Sequence, residues 1–242
     1  LLVSRKTKSA KLVLGLGGIS LLVGLVFIQP DLGSSLVLAL VGLSLISLWS
    51  ERRQVLILGL IFLASLGGGW LVLKDYQKVR LFSFLGGSTD TLGADYHRIQ
   101  AMVAVGSGRF WGRGLFRGTQ SQLKFLPEKH TDFIYAALSE ELGFWGAAGV
   151  LLIFFFLLAQ ILVVASKSKD LFGRLICLGV FVWLGLQVLV NIGMNLGVLP
   201  ITGLTLPLVS SGGSSVVSVL IGLGLVESVS FYNQDQRTLE IH

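Results

Sequence analysis

The chain has 242 residues, of which 53% are hydrophobic and only 13% are charged, and its formal net charge at pH 7 is +6. Soluble globular domains carry about 25% charged residues, so this composition argues against an ordinary soluble domain and for a protein that lies in lipid. A positive net charge is also typical of nucleic-acid-binding proteins. Here, however, Lys and Arg lie mostly at the ends of apolar segments, as membrane topology requires, so we expect no nucleic-acid partner.

Six apolar segments have roughly the 20-residue length that a helix needs to cross the hydrocarbon core of a bilayer. They are residues 12–28, 32–49, 55–73, 144–165, 175–196 and 209–230. Helices are expected because each span must satisfy its backbone hydrogen bonds internally. The sequence therefore predicts an all-α polytopic integral membrane protein with about six transmembrane helices, in a single membrane domain of residues 1–242.

The distribution of basic residues predicts the orientation of these spans. Ten Lys and Arg residues flank them on one side, whereas the short connections on the other side, residues 29–31 and 197–208, carry none. Because cytoplasmic loops carry the excess of positive charge, both termini are predicted to be cytoplasmic and the long loop of residues 74–132 to be extracytoplasmic. We expect this loop to be ordered, since it is rich in apolar and aromatic residues. Residues 96–105 within it have the periodicity of an amphipathic helix suited to the membrane interface.

The densest cluster of ionisable side chains lies where this loop enters the fourth predicted span. It comprises Glu128, Lys129, His130 and Asp132. A carboxylate at the mouth of an apolar helix loses hydration and becomes a better base, which makes Asp132 a candidate general base. Two alternatives stay open. Thr131 or Asp132 caps the following helix, or Glu128, His130 and Asp132 bind a metal ion.

Polar residues also occur in or near the predicted spans. Glu140 and Glu141 are predicted either to be solvated at a helix end, to pair with a loop arginine, or to supply a second catalytic carboxylate. In the fifth span, Gln187, Asn191 and Asn195 recur every four residues, so they form one polar stripe. The stripe is predicted either to form hydrogen bonds between helices or to line a path for a polar substrate.

Several segments together resemble the SEDS family (shape, elongation, division and sporulation), whose members include RodA, FtsW and SpoVE. In family order, they are residues 29–33 (QPDLG), 96–100 (YHRIQ), 104–108 (AVGSG), 125–134 (FLPEKHTDFI), 140–143 (EELG) and 203–215 (GLTLPLVSSGGSS). Residues 118–123 and 199–203 resemble RodA more than FtsW. The chain differs from the family in two respects. It resembles only the last six of about ten spans, so we expect it to be part of a longer product, and Ser211 replaces a tyrosine that is usual in the closing motif.

The resemblance implies a peptidoglycan glycosyltransferase of the bacterial cytoplasmic (inner) membrane, which polymerises lipid II for cell-wall elongation and rod shape. It also implies that Asp132 is the essential aspartate, and that the partner is a class B penicillin-binding protein, the transpeptidase of the cell-elongation complex. The chemistry agrees, because a hydroxyl nucleophile needs a base, whereas a pyrophosphate leaving group needs cations. The candidate substrate contacts are Arg98, Arg109, Lys124, Glu128, Lys129, His130, Glu140, Asn191 and Asn195. A divalent cation such as Mg²⁺ at the carboxylate or the pyrophosphate is left open.

Two other functions are compatible with the same sequence. A flippase or transporter for a lipid-linked sugar is favoured by the polar stripe and by the proline-interrupted segment near residue 200. Such a protein needs ionisable groups at the membrane midplane and on both faces, whereas here the acid–base cluster is predicted to be extracytoplasmic, which favours the enzyme. A non-catalytic scaffold of a cell-wall complex is the third reading.

Overall fold

The computed structural model describes residues 8–29, 31–48, 54, 56, 59–60, 74–84, 94–122 and 130–239. All regular secondary structure in these residues is helical, as the sequence predicted. The helices of the described part are α1 (Lys8–Ile28), α2 (Leu32–Ser47), α3 (Asp75–Phe84), α4 (Ala94–Ser107), α5 (Thr119–Gln122), α6 (Ile134–Lys167), α7 (Leu171–Asn195) and α8 (Gly213–Leu239).

Three helices of the described part are long and apolar enough to cross a membrane. They are Ile134–Lys167, Leu171–Asn195 and, within α8, Gly213–Asn233. Leu14–Ile28 in α1 and Leu32–Ser47 in α2 are shorter apolar helices. These lengths fit a helical membrane protein. The count of six spans stays a prediction, because most of the predicted span 55–73 lies outside the described residues.

Two helix boundaries differ from the predicted spans. α6 begins at Ile134, well before the predicted start at residue 144, because its first turns contain polar residues that a search for apolar segments passes over. Gly143, with φ 69° and ψ −163°, interrupts the helical geometry, so α6 consists of two helical segments joined at a kink. α8 begins at Gly213 and not at residue 209, since residues 207–209 form a turn.

The chain divides into two compact units. The first unit comprises residues 1–72, 158–185 and 218–242, and the second comprises residues 73–157 and 186–217. In the first unit, α1 packs against α2. Small residues allow this close approach, since a Cβ added at Gly42 would lie 2.5 Å from Cγ2 of Ile19.

The second unit contains every candidate site residue that the structure describes. One of its hydrophobic clusters joins α6 to α7 and to the segment that follows α7, and it consists of buried Tyr135, Ala147, Phe154, Val188, Ile192 and Leu206. The other joins Ala101 and Ala104 of α4 to Phe133 and Ala136. The helix predicted over residues 96–105 is thus confirmed, and its buried face packs beside the turn that carries Asp132.

Candidate active site

Asp132 lies in the turn of residues 130–133 that leads into α6, and it is half-buried. Its main-chain carbonyl oxygen accepts a hydrogen bond from Nδ2 of Asn191 at 3.1 Å and another from Nδ2 of Asn195 at 3.0 Å. Both asparagines are 0% exposed. Two members of the polar stripe predicted from the sequence therefore bind the backbone of the candidate catalytic residue.

The same two amides make further bonds to the backbone. Nδ2 of Asn191 donates to the carbonyl of Leu204 at 2.7 Å, and Nδ2 of Asn195 donates to the carbonyl of Asn191 at 2.7 Å. These are hydrogen bonds within the protein, as in the first of the two roles predicted for the polar stripe. The substrate contacts predicted for Asn191 and Asn195 stay predictions.

The two carbonyl groups before Asp132 are held as well. Oγ of Ser210 donates to the carbonyl of Thr131 at 2.6 Å, and the hydroxyl and backbone N–H of Ser211 donate to the carbonyl of His130 at 2.7 and 2.8 Å. Three consecutive carbonyls, those of residues 130–132, are thus bonded by groups from residues 191–211. We call residues 130–132 the Asp132 turn. Ser211 stands where the family motif usually has a tyrosine, and its short side chain places the hydroxyl within hydrogen-bond distance of the His130 carbonyl.

A glycine borders the Asp132 carboxylate. A Cβ added at Gly203 would lie 3.8 Å from Oδ2 of Asp132, the nearest heavy atom among the described residues other than its chain neighbours. Gly203 has φ +79°, a conformation that glycine adopts without strain. The backbone of residue 203 therefore passes beside the carboxylate without placing a side chain over it.

Glu140 is an acid of this unit that is fully buried. It is 0% exposed, and its Oε1 accepts hydrogen bonds from the backbone N–H of Gln120 at 2.9 Å, from Oγ1 of Thr119 at 3.3 Å and from Oγ of Ser107 at 3.5 Å. Arg113 donates to Oγ1 of Thr119 at 2.8 Å, so this loop arginine reaches Glu140 through a threonine. In the structure, Glu140 links residues 107–120 to α6, and its predicted contact with substrate stays a prediction.

Residues 108–114 lie along the kink of α6. The N–H groups of Arg113 and Gly114 donate to the carbonyls of Glu140 and Glu141, each at 3.0 Å. Side chains are excluded at this contact, because a Cβ added at Gly143 would overlap the backbone nitrogen of Gly112. Glycines on both sides of this contact, Gly108 and Gly112 in the loop and Gly143 in α6, are thus needed for close backbone packing.

The predicted cationic contacts are only partly described. Arg109 is exposed and lines an open cavity of about 450 Å³ formed by residues 107–113. Arg98 is half-buried. Its Nη1 atom lies 3.4 Å from the carbonyl oxygen of Phe84, and its guanidinium carbon lies 5.4 Å from the centre of the Phe84 ring. Lys124 and Lys129 lie outside the described residues.

Two of the three candidate metal ligands, His130 and Asp132, lie in the described residues. His130 is exposed, while Glu128, the other neighbour proposed to share a metal with Asp132, lies outside the described residues. Among the residues whose positions are described, no group of three or more His, Cys, Asp or Glu side chains is arranged to hold a metal ion.

Sequence reasoning did not identify Ser210, Ser211 or Gly203 as neighbours of Asp132. The signal available for them was an irregular segment, residues 198–212, between two apolar helices. Because irregular backbone at membrane depth must be buried in protein or line a cavity, small polar residues in such a segment are candidates for binding backbone groups.

Comparison of the chain with known proteins identifies its family. The family model described as "Cell cycle protein", named for FtsW, RodA and SpoVE, matches residues 3–235. The peptidoglycan glycosyltransferase MrdB of Escherichia coli K12 is 43% identical over 209 residues, which are 85% of this chain and 56% of MrdB. The probable peptidoglycan glycosyltransferase FtsW of Xanthomonas oryzae is 37% identical over 216 residues, which are 88% of this chain and 44% of that protein. The chain spans about half the length of these curated relatives.

Two solved structures resemble the chain at moderate identity. One, from a study of how a peptidoglycan synthase complex coordinates polymerization and crosslinking, is 34% identical with a TM-score of 0.73, covering 96% of this chain and 64% of that chain. The crystal structure of the rod shape determining protein RodA of Thermus thermophilus is 32% identical with a TM-score of 0.59, covering 90% of this chain and 55% of that chain. The chain therefore belongs to the FtsW, RodA and SpoVE family of cell cycle proteins, and it is RodA-like.

Proposed function

We propose that this protein is a peptidoglycan glycosyltransferase that polymerises lipid II, with Asp132 as the general base. The observation that carries the proposal is the Asp132 turn, whose three carbonyls are bonded by buried Asn191, Asn195 and Ser210 and by Ser211, while the carboxylate lies beside a glycine. The curated relatives at 37% and 43% identity, named peptidoglycan glycosyltransferases, support the same activity.

In the proposed reaction, the 4-hydroxyl oxygen of one saccharide attacks the anomeric carbon of another. The bond from that carbon to the pyrophosphate oxygen breaks, undecaprenyl pyrophosphate leaves, and the hydroxyl proton passes to Asp132. A direct displacement of this kind inverts the configuration at the anomeric carbon. One carboxylate is enough, because pyrophosphate leaves without protonation when cations stabilise its charge, unlike the leaving group of a two-carboxylate glycosidase.

The cations of the proposed mechanism are basic side chains near the substrate. Arg98, Arg109, Lys124 and Lys129 are the candidates, and Arg binds phosphate oxygens in a bidentate manner. Arg109 is the first to test, because its exposed side chain lines the cavity of about 450 Å³.

The proposal includes a topology and a partner. Residues 12–28, 32–49, 55–73, 144–165, 175–196 and 209–230 cross the cytoplasmic membrane of a bacterium, with both termini cytoplasmic and residues 74–132 outside. The sidedness rests on the distribution of Lys and Arg. The partner is a class B penicillin-binding protein that cross-links the new glycan, and the likeness to a chain from a peptidoglycan synthase complex supports it.

The test is a polymerisation assay on the protein expressed from its complete reading frame and reconstituted into liposomes. Lipid II is supplied from outside, and glycan strands are resolved by gel electrophoresis. A polymerase yields glycan that a muramidase digests. Movement of labelled lipid II between leaflets without glycan would instead identify a flippase, and neither product would favour the scaffold.

A further inference from the structure

We propose that Asn195 and Asn191 are positioning residues, which hold the main-chain carbonyl of Asp132 and thereby help to place its carboxylate. The inference rests on the proposed function, since it assigns a purpose to these amides only if Asp132 is the base. It begins with the N-terminus of α6, where the residue before the first helical position is Phe133. The side chain of this buried phenylalanine has no acceptor for the first N–H groups of the helix, which need partners.

Asn195, from α7, supplies a partner for one of these N–H groups. Its Oδ1 accepts a hydrogen bond from the N–H of Ala136, in the first turn of α6, at 3.2 Å. Its Nδ2 donates to the carbonyl of Asp132 at 3.0 Å. One buried amide therefore binds the chain immediately before α6 and within its first turn, so that the start of the helix and the carbonyl of Asp132 keep a fixed relation.

The bonds on the two sides of Asp132 fix its side-chain direction. The carbonyl of Thr131 belongs to the peptide plane before the Cα of Asp132, and Ser210 holds it at 2.6 Å. The carbonyl of Asp132 belongs to the plane after that Cα, and the asparagines hold it. Because peptide units are planar, holding both planes fixes φ and ψ of Asp132 and with them the direction of its Cα–Cβ bond.

Asn191 extends the same constraint to the neighbouring wall. Its Nδ2 binds both the carbonyl of Asp132 at 3.1 Å and that of Leu204 at 2.7 Å. Leu204 follows Gly203, which borders the Asp132 carboxylate. A single side chain therefore sets the spacing between the carboxylate and the backbone beside it, which is the space that an acceptor hydroxyl would enter.

A base acts only within hydrogen-bond reach of the proton it removes, and a misplacement of about 1 Å lowers the rate by about 10²-fold. The stripe offers a matched control one turn away on the same helix. Gln187 carries a similar amide, but among the described residues its Oε1 has no hydrogen-bond partner, and no bond from it to the Asp132 turn is seen. Replacing Gln187 thus removes an amide from the stripe without releasing Asp132.

The experiment compares Asn195→Leu, Asn191→Leu and Gln187→Leu in the reconstituted protein from the complete reading frame, with kcat and KM measured for lipid II. We expect kcat to fall by about 10²-fold in both asparagine variants, with KM near the wild-type value, and Gln187→Leu to behave as wild type. Asn195→Gln, which keeps an amide, should recover part of kcat. In an Asp132→Asn background, Asn195→Leu should cause no further loss, because both changes act through the same group.

Several outcomes would overturn the inference. A folded Asn195→Leu variant with wild-type kcat would do so, as would a loss confined to KM, which identifies a substrate contact. If Asn195→Leu does not fold because α6 loses its cap, Asn191→Leu decides, since it leaves the cap in place. An active Asp132→Asn variant overturns both the proposed base and this inference. If Asp132→Asn is inactive but the Asn191 and Asn195 variants keep the wild-type kcat, only the inference is overturned.

Discussion

Glu140 gives a prediction that does not depend on the reaction. Replacing it with leucine, which has a similar size, removes the acceptor for Gln120, Thr119 and Ser107 at distances of 2.9, 3.3 and 3.5 Å. Because Glu140 is 0% exposed, water cannot easily replace the lost carboxylate. We therefore expect Glu140→Leu to release residues 107–120 from α6.

The size of the effect follows from these bonds. Leaving the N–H of half-buried Gln120 without its charged acceptor costs about 1–3 kcal/mol, and the two longer bonds contribute less each, which gives a total of about 2–4 kcal/mol. At about 1.4 kcal/mol per tenfold change, the population of the opened segment should rise by about 30- to 700-fold.

Native-state amide hydrogen exchange measures that population residue by residue. The amides of Arg113, Gly114 and Gln120 should exchange faster in Glu140→Leu, by up to the factor above. Glu227→Leu, which replaces an exposed glutamate of α8, serves as the control and should leave these amides unchanged. Wild-type exchange at Gln120 in a folded Glu140→Leu variant would refute the reasoning.

Two glycines give further predictions. Gly143→Ala should lower the melting temperature in detergent, because φ 69° with ψ −163° costs an L-residue about 1–3 kcal/mol and the new methyl group would meet the backbone of Gly112. Gly149→Ala, at an open helical position of the same helix, should be neutral or stabilising by up to about 1 kcal/mol, and equal destabilisation by both changes would contradict this account. Gly203→Ala, also at positive φ, should lower kcat for lipid II polymerisation because its methyl group would lie 3.8 Å from Oδ2 of Asp132, whereas an unchanged kcat would show that this side of the carboxylate is not used.

The periodicity of the sequence was sufficient to place the apolar helices and the polar stripe. The four-residue spacing of Asn191 and Asn195 fixed a common face, as the structure confirms. It could not identify their partner, because the carbonyl of Asp132 lies 59 and 63 residues away along the chain. Backbone carbonyls carry no sequence signal, so only the fold shows which of them a buried amide binds.

The capping of α6 illustrates a second limit. Local sequence favoured Thr131 or Asp132 as the cap, because such residues commonly cap the helix that follows them. Capping by Thr131 or Asp132 stays a prediction, whereas the structure shows that the N–H of Ala136 is bonded by Asn195, a residue of α7 that local sequence could not indicate. The early start of α6 escaped prediction for a related reason, since Glu140 and Glu141 break the apolar pattern and their burial depends on the loop that packs over them.

The central claim, that Asp132 is the general base, is tested most directly by Asp132→Asn in the lipid II polymerisation assay. The change keeps the shape of the side chain and spares the bonds that Asn191 and Asn195 make to the main-chain carbonyl, and a circular-dichroism spectrum checks that the variant is folded. Asp75→Asn, at an exposed aspartate of α3, is the matched control. We predict that Asp132→Asn lowers the rate of glycan synthesis by about 10²–10⁴-fold while Asp75→Asn leaves it unchanged. A folded Asp132→Asn variant that polymerises lipid II at the wild-type rate would contradict the claim.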